Sequence, residues 1–224
     1  MTLYIVGTPI GNLGDMTARG IETLKSVDLI AAEDTRVTKK LLSHFQIHKP
    51  IISYREYVHD RVSKQILAQL GKGKTIAYVT DAGVPGISDP GARLVRTVRD
   101  AGYLVVPIPG VSAVTSLMSV AGVATNEFLF LGFPPQKKGR MSFFERIKIS
   151  EVPVVIFESP HRLCKTLSEL GASLGKEQRV IIGKELTKMY ETIIDEPLGS
   201  AWESCCVQTN ERPRGEYVIC IPRG

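Results

Sequence analysis

The sequence predicts an α/β protein in which two domains follow one another along the chain. In the first half, short apolar runs alternate with helical patterns, and several runs end in loops rich in glycine and proline. The longest such loop lies in YVTDAGVPGISDPG, residues 78–91, between an apolar run and a helical pattern. This order of strand, loop and helix is typical of an open sheet with ligand-binding groups at its carboxyl edge. In the second half the later apolar runs are closely spaced, which predicts a mixed sheet.

The first domain is predicted to span residues 1–121 and to contain five strands, each followed by a helix. Short apolar runs place these strands at residues 3–6, 28–32, 51–52, 75–79 and 104–108. Apolar residues at helical spacing place the helices around Ile21 and Leu24, around Leu41 and Leu42, over 62–70, around Leu94 and Val98, and from PGVSA onward. Asp15 or Thr17 is the expected N-cap of the first helix, and Ser112 that of the last. Such alternation predicts one doubly wound sheet.

The second domain is predicted to span residues 122–224. Its apolar runs place strands at 128–132, 154–157, 179–183, 191–195 and 217–221. Helical patterns run through Phe144 and Ile147 and through Leu163, Leu167 and Leu170. A basic loop, FPPQKKGR, covers residues 133–140.

In the first domain, the segment SYREYVHDR, residues 53–61, has two interpretations. Its tyrosines and arginines could stack bases and hold phosphates, or it is an exposed loop that leads into a helix.

The composition restricts the class of protein only broadly. The 224 residues carry a net charge of +5, which is a weak indication of an anionic partner. No apolar run approaches the ~18 residues of a membrane span, and no signal peptide is recognisable. The four cysteines, Cys164, Cys205, Cys206 and Cys220, lack CxxC spacing and a nearby histidine pair. We therefore expect free thiols in a reducing cytoplasm and no metal site.

Charged side chains follow the strands in both halves and are the first candidates for chemistry. They are Glu33, Asp34, Arg36, Asp81, Glu158, Arg162, Glu185 and Lys188. Singly, each is commonly a solvated or capping residue. Strand ends share one edge of a sheet, however, so these residues are expected to lie at binding edges, and two facing edges would form a cleft. Neither a dinucleotide GxGxxG motif nor a Walker loop is present.

The motifs occur in the order of a known family. GTPIGNLGD, AAEDTR, TDAGVPGISDPG, PGVSA, LGFPP, FESPHR, KELTK and the RGE before the last strand stand in sequence between residues 3 and 221. Together they resemble the ribosomal RNA small subunit methyltransferase I branch of the tetrapyrrole methylase superfamily. EDTR, ESPHR and KELTK carry the likeness to the RNA branch, whereas GTPIGN and DAGVPGISDPG are shared by the superfamily.

The resemblance implies two αβα domains of the class III methyltransferase fold, with S-adenosylmethionine bound in the cleft between them. It also implies a cytoplasmic homodimer that methylates the ribose 2′-hydroxyl of a cytidine in the decoding region of 16S rRNA, as free RNA or within the 30S subunit. Long members of the branch carry a C-terminal extension, so RNA affinity is expected here from the core. The cofactor residues carried over by motif are Pro9, Asp81, Gly83, Val84, Ser112, Ala113, Phe157 and Glu216.

A ribose hydroxyl is a poor nucleophile, so its proton must be removed or its oxygen polarised. Lys188 with a lowered pKa, or Glu185 or Glu158 with a raised one, are the candidates for the base or for an orienting group. Arg36 and Arg162 are the candidates for holding phosphate. The sequence does not rank the three catalytic candidates, and KELTK is about equally well explained as a cluster of salt bridges between domains.

Two other functions remain open from the sequence. A tetrapyrrole C-methyltransferase would share the cofactor site, because the basic ends of the second-domain strands suit carboxylates as well as phosphates. A catalytically silent RNA-binding module is the third interpretation. Affinity for the cofactor would distinguish the silent RNA-binding module from the two methyltransferases. The identity of the methylated product would distinguish the rRNA methyltransferase from the tetrapyrrole methyltransferase.

Overall fold

The computed structural model describes residues 1–55, 59–207 and 213–223, and the chain divides into two compact units, Met1–Ser112 and Ala113–Gly224. The strands are β1 (Thr2–Val6), β2 (Leu29–Ala32), β3 (Ile51–Ser53), β4 (Ile76–Val79), β5 (Leu104–Ile108), β6 (Leu129–Gly132), β7 (Val154–Glu158), β8 (Arg179–Lys184), β9 (Thr192–Pro197) and β10 (Tyr217–Ile221). The α-helices are α1 (Ala18–Ser26), α2 (Thr35–His44), α3 (His59–Gly71), α4 (Gly91–Asp100), α5 (Ala113–Val120), α6 (Arg140–Lys148), α7 (Leu163–Leu174) and α8 (Leu198–Cys206).

The first unit is the predicted doubly wound sheet. Its described strands lie in the order β3-β2-β4-β1-β5, and every pairing is parallel. Ile76 and Tyr78 of β4 pack with apolar residues of α3 and α4, while Ala77 and Val79 pack with those of α1 and α2. Successive side chains of a strand point to opposite faces, so both faces of the sheet are buried. All five carboxyl ends therefore meet at one edge.

Local capping fixes where the first helix begins. The hydroxyl of Thr17 accepts a hydrogen bond from the N–H of Gly20 at 3.0 Å, which satisfies one of the unpaired donors of the first turn of α1. Of the two residues proposed from sequence, Thr17 is thus the N-cap. Of the segment at 53–61, for which the sequence left two interpretations, residues 56–58 lie outside the described residues.

The second unit contains the predicted mixed sheet. Its described strands lie in the order β6-β7-β10-β8-β9, with β6 and β7 parallel and the other pairs antiparallel. Apolar residues of α6, α7 and α8 pack on one face of this sheet in a single cluster. Helix α8 was not predicted, because LGSAWESCC contains Gly, Ser and Cys, which are weak helix formers.

Helix α5 belongs to the second unit, although the sequence placed the end of the first domain at residue 121. The helix contacts β10, and the side chain of Leu117 lies against Gly183 of β8. The division therefore falls between Ser112 and Ala113. A βα pattern gives the order of the elements, whereas the sheet on which a terminal helix packs depends on contacts distant in sequence.

The prediction that all four cysteines are free is wrong. Cys164 of α7 and Cys206 of α8 form a disulfide with a Cα–Cα distance of 5.7 Å, while Cys205 and Cys220 are not disulfide-bonded. The two bonded residues are 42 positions apart. They meet because α7 and α8 pack side by side, which spacing along the chain does not reveal. Burial raises the pKa of the Cys220 thiol to about 11.

Replacing Cys206 by serine is expected to lower the free energy of unfolding by about 2–4 kcal/mol, because the bond closes a long loop in the unfolded chain. Urea denaturation without reductant measures this loss. Cys205→Ser is the matched control, since Cys205 is adjacent in sequence and is not part of the disulfide. If reductant destabilises wild type and Cys206→Ser equally, the disulfide is not formed in solution.

Among the described residues, no helix is both long enough and apolar enough to cross a membrane.

Candidate functional site

Three loops of the first unit meet at the carboxyl edge of its sheet. The loop after β1 joins the loop after β4 through two backbone hydrogen bonds, Thr8 N–H to Gly83 O at 2.9 Å and Gly83 N–H to Thr8 O at 3.1 Å. The hydroxyl of Thr8 also donates to the carbonyl of Thr80 at 3.2 Å. Gly83 has a φ of +78°, a conformation that favours glycine. These bonds hold the loop after β4, which is the long glycine- and proline-rich loop of the sequence, in one position.

The loops after β1 and β5 approach so closely that both positions require glycine. A Cβ atom added to Gly7 would lie 2.7 Å from the Cα of Gly110, and one added to Gly110 would lie 2.8 Å from the Cα of Gly7. Both contacts are with backbone, so no side-chain rotation relieves them. The sequence predicted glycine-containing loops after β1 and β5, but it did not predict that these two loops contact each other.

The surface beside these loops combines apolar groups with a carboxylate. Pro9 and Val84 are half-buried, and methyl carbons of Val84 and Ile10 lie near Gly7 and Gly83, respectively. The exposed Asp81 accepts a hydrogen bond from the N–H of Asp34 at 3.0 Å. Within the described part of the chain Asp81 has no ion pair. One carboxylate oxygen therefore remains able to accept bonds from a cationic ligand.

The EDTR segment lies at the same edge. Asp34 caps α2 by accepting from the N–H of Arg36 at 2.8 Å, and its carboxylate also binds the guanidinium groups of Arg36 at 2.6 Å and Arg55 at 3.2 Å. Hydrogen bonds from Arg36 hold the pKa of Asp34 well below its usual range. Burial, followed by the charge of Asp81, raises the pKa of Glu33. Most of the Arg36 side chain is exposed, which suits contact with a large anionic ligand.

An open pocket of about 570 Å³ occupies this edge. It is lined by Glu33, Asp34, Arg36, Arg55, Asp81, Ser88, Asp89 and Pro90. Arg55 was not singled out from sequence, and its only signal was the mixture of tyrosines and arginines that follows β3. Of the predicted cofactor residues, Asp81 lines the pocket, while Gly83 lies against the carbonyl of Val111, the neighbour of Ser112. Ala113, Phe157 and Glu216 belong to the second unit.

Glu158 and Arg162 form a buried ion pair in the second unit. The Glu158 side chain is fully buried at the end of β7, and its Oε1 lies 2.8 Å from Nη2 of Arg162. Glu158 also accepts from the N–H of Ser159 at 2.7 Å and from the hydroxyl of Thr166 at 2.6 Å. Arg162 donates further to the carbonyl of Pro134 at 2.8 Å. Their bonds thus join the ESPHR segment to the LGFPP segment.

Arg140 extends this network. Its side chain is buried and donates to Glu169 at 2.5 Å, to the hydroxyl of Thr166 at 2.9 Å and to the carbonyl of Pro135 at 2.9 Å. Thr166 therefore links the guanidinium of Arg140 to the carboxylate of Glu158. Thr166 was not predicted, because in the sequence it is one polar residue among the apolar positions of α7. The charge of Arg140 is neutralised by its ion pair with Glu169, whereas the side chains of Lys137 and Lys138 are exposed.

The KELTK segment forms a tight turn closed by the residues before β10. Nζ of Lys188 lies 2.8 Å from Glu185 Oε1 and 3.0 Å from Glu216 Oε2. The backbone N–H of Glu216 donates to the same Glu185 oxygen at 2.8 Å. Glu185 and Thr187 have positive φ values of 53° and 67°, which are unfavourable for residues with a Cβ. Both ion pairs of Lys188 lie within the second unit.

The pKa shifts in this turn run opposite to those that a general base requires. Burial disfavours the charged form of Lys188, but its hydrogen bonds to Glu185 and Glu216 outweigh this effect and raise the pKa of the ammonium group. Burial likewise disfavours ionised Glu185, yet the bonds from Lys188 and from the Glu216 N–H lower the pKa of that carboxyl. The expectation of a lowered lysine pKa and a raised glutamate pKa is therefore wrong for this pair.

The sign of each pKa shift defines the pH range in which the ion pair of Glu185 and Lys188 contributes to stability. Glu185 contributes stability above its ordinary pKa of 4.5 and loses that contribution as the pH falls through the lowered value. Lys188 contributes below its ordinary pKa of 10.5 and loses that contribution as the pH rises through the raised value. Both groups are thus charged at neutral pH.

Comparisons with known proteins identify the family and the fold. Residues 2–201 match the family of Tetrapyrrole (Corrin/Porphyrin) Methylases. The ribosomal RNA small subunit methyltransferase I of Synechocystis sp. is 44% identical over 220 residues, which cover 98% of this chain and 78% of that protein. The enzyme of the same name from Halalkalibacterium halodurans is 47% identical over 221 residues, 98% of this chain and 75% of the relative. The solved structure of diphthine synthase has the same fold, with a TM-score of 0.75 at 12% identity over 100% of this chain and 90% of the other.

Proposed function

Because the chain belongs to the ribosomal RNA small subunit methyltransferase I family of the tetrapyrrole methylases, we propose that it methylates 16S rRNA. It is an S-adenosylmethionine-dependent methyltransferase by that membership. The proposed acceptor is the ribose 2′-hydroxyl of a cytidine in the decoding region. The structural observation that carries the proposal is the joined set of loops at the carboxyl edge of the first sheet, with Asp81 beside an apolar surface.

The residues of the first unit suit the chemical groups of S-adenosylmethionine. That cofactor carries a cationic amino group and a sulfonium, for which the exposed carboxylate of Asp81 is a suitable partner. Pro9 and Val84 offer apolar contact, and Gly83 holds its loop against Thr8. Ser112 and Ala113, at the start of α5, suit the polar edge of an adenine. We assign Phe157 and Glu216 to the same cofactor site from the family motif.

The bound cofactor supplies the methyl group as an electrophile on sulfur. Formation of the new carbon–oxygen bond would break the methyl–sulfur bond, and the ribose hydroxyl would lose its proton to solvent water. The protein must therefore place the ribose oxygen in line with the methyl group and stabilise the negative charge that loss of the proton leaves on that oxygen. Lys188 suits this second task, because its raised pKa keeps the ammonium charged and its Nζ has three donors, of which described residues use two. Glu185 would orient Lys188. Glu158, whose carboxylate is buried and paired, would support the fold of this region rather than accept a proton.

The RNA-contacting role proposed for Arg36 fits its exposed position at the edge of the first sheet. The role proposed for Arg162 is less favoured, because three of its five N–H donors, one on each nitrogen, already bind Ser159, Pro134 and Glu158. A phosphate would have at most the two remaining donors. We further propose that the enzyme acts as a homodimer in the cytoplasm, where its substrate is made. Light scattering on the purified protein tests the dimer.

One experiment tests the function directly. The protein is incubated with labelled S-adenosylmethionine and either rRNA or 30S subunits from a strain that lacks this methylation, and the label is then mapped. Label on a cytidine ribose supports the proposal. Label on an added tetrapyrrole instead, or cofactor binding without any transfer to RNA, would favour the other two functions considered from the sequence.

Asp81→Ala is expected to weaken binding of S-adenosylmethionine by about ten- to hundredfold, the loss of one or more charge-assisted hydrogen bonds. Isothermal calorimetry measures the affinity, which for wild type should be micromolar or tighter. Asp100→Ala is the control, because Asp100 is an exposed carboxylate paired with Arg96 at the end of α4. Absence of binding by wild type would contradict the proposed function, whereas equal affinities of both variants would exclude only Asp81.

A further inference from the structure

The loop between β6 and α6 contains an exposed aromatic ring and two exposed lysines. Phe133 is 50% exposed although it is a large apolar residue, and Gln136, Lys137, Lys138 and Gly139 are also exposed. The mechanism described above uses neither Phe133 nor the two lysines.

The ring of Phe133 is held in a row of aromatic side chains. Its centroid lies 5.4 Å from that of Phe157, which in turn lies 4.9 Å from that of Phe130 on β6. Phe157 is half-buried, so it supports Phe133 from beneath while the outer part of Phe133 stays accessible. A ring fixed in this way loses little conformational freedom when another flat group stacks on it.

The backbone of the same loop is held by the guanidinium groups of buried Arg140 and half-buried Arg162. Pro134 and Pro135 have no N–H to donate, but their carbonyls accept hydrogen bonds from Arg162 and Arg140 at 2.8 and 2.9 Å. Each arginine is neutralised by a glutamate, Arg162 by Glu158 and Arg140 by Glu169. The exposed positive charge of this loop therefore comes from Lys137 and Lys138 alone among residues 133–140.

We propose that Phe133, Lys137 and Lys138 form a platform for single-stranded RNA, in which an unpaired base stacks on Phe133 and the lysines contact flanking phosphates. Aromatic rings next to cationic side chains are the usual combination for binding single strands, since every base offers a flat face and every nucleotide a negative charge. The proposal rests on the proposed function and names the surface by which its RNA substrate is held. Because Phe133 packs on Phe157, the stacked base would lie next to a residue assigned to the cofactor.

The direct test measures stacking. In Phe133→Trp, the new indole should be quenched when a single-stranded oligocytidylate of about 12 nucleotides is added. Wild type, which contains only Trp202, measures the background change. A duplex that contains the same strand should quench less, because its bases are already stacked. Fluorescence that responds no more in Phe133→Trp than in wild type would overturn the platform.

Affinity for the same labelled oligocytidylate provides a second test by fluorescence anisotropy. Phe133→Ala should weaken binding about tenfold or more, and Phe133→Tyr should restore it. Phe128→Ala is the matched control, since Phe128 is 38% exposed and precedes β6 at its other end. The double change Lys137→Ala and Lys138→Ala should reduce the slope of log affinity against log salt by about 0.7 for each lysine. Lys72→Ala with Lys74→Ala, an exposed pair between α3 and β4, should leave the slope unchanged.

The outcomes separate this inference from the function on which it rests. If wild type methylates rRNA and the platform variants bind RNA as wild type does, the platform is wrong and the function stands. If wild type binds S-adenosylmethionine but neither binds RNA nor methylates RNA, the platform and the proposed function are both wrong.

Discussion

Glu158→Ala is expected to lower the free energy of unfolding by about 3–5 kcal/mol, the usual cost of removing one partner of a buried ion pair. The fully buried carboxylate accepts bonds from Arg162, Thr166 and the N–H of Ser159. Its removal leaves the charge of Arg162 in a largely buried place without its partner. Urea denaturation followed by circular dichroism measures the loss.

Two further variants show whether loss of the Glu158–Arg162 ion pair causes the decrease in stability. Glu145→Ala removes an exposed glutamate of α6 and should change stability by no more than about 0.5 kcal/mol. The double variant Glu158→Ala with Arg162→Ala should be more stable than the sum of the single losses predicts, because it leaves no unpaired charge. A Glu158→Ala protein that is as stable as wild type but inactive would instead return Glu158 to the list of catalytic candidates.

Lys188→Met is expected to lower the single-turnover rate of methyl transfer by about 100-fold or more, by analogy with removal of one donor that acts in the transition state. Affinity for S-adenosylmethionine should remain near that of wild type. The raised pKa of Lys188 makes it a donor throughout the neutral range, so no loss of rate is expected from its titration near pH 7. Rapid-quench kinetics at saturating cofactor and RNA measure the step.

Glu191→Ala is the matched control for the Lys188 change. It removes the carboxylate that accepts from the N–H of Thr187 in the same turn but keeps Lys188 and both of its ion pairs. If Lys188 only closes the turn, the two variants should show similar, small losses of rate together with some loss of stability. A Lys188→Met enzyme that turns over normally once folded would exclude the catalytic role.

Much of the fold could be predicted because its signals are local. Buried parallel strands such as β2 and β4 appear as short apolar runs, and the glycines and prolines of residues 80–91 mark the long loop between strand and helix. The ordered motifs then indicated the family, and with it the cofactor, before any contact was known. The helix α8 and the place of α5 in the second unit were not predicted, because packing rather than local pattern determines both.

The sequence by itself thus determined the two sheets with their helices, the sheet edge that carries the loops rich in glycine and proline, and the family. Only the tertiary structure paired Cys164 with Cys206, separated the buried charge of Arg140 from the exposed charges of Lys137 and Lys138, and showed that Lys188 carries a raised pKa. The physical reason is the same in each case. A strand or a loop is specified by neighbours along the chain, whereas the charge state and role of a side chain depend on burial and on partners such as Glu216 that lie far away in sequence.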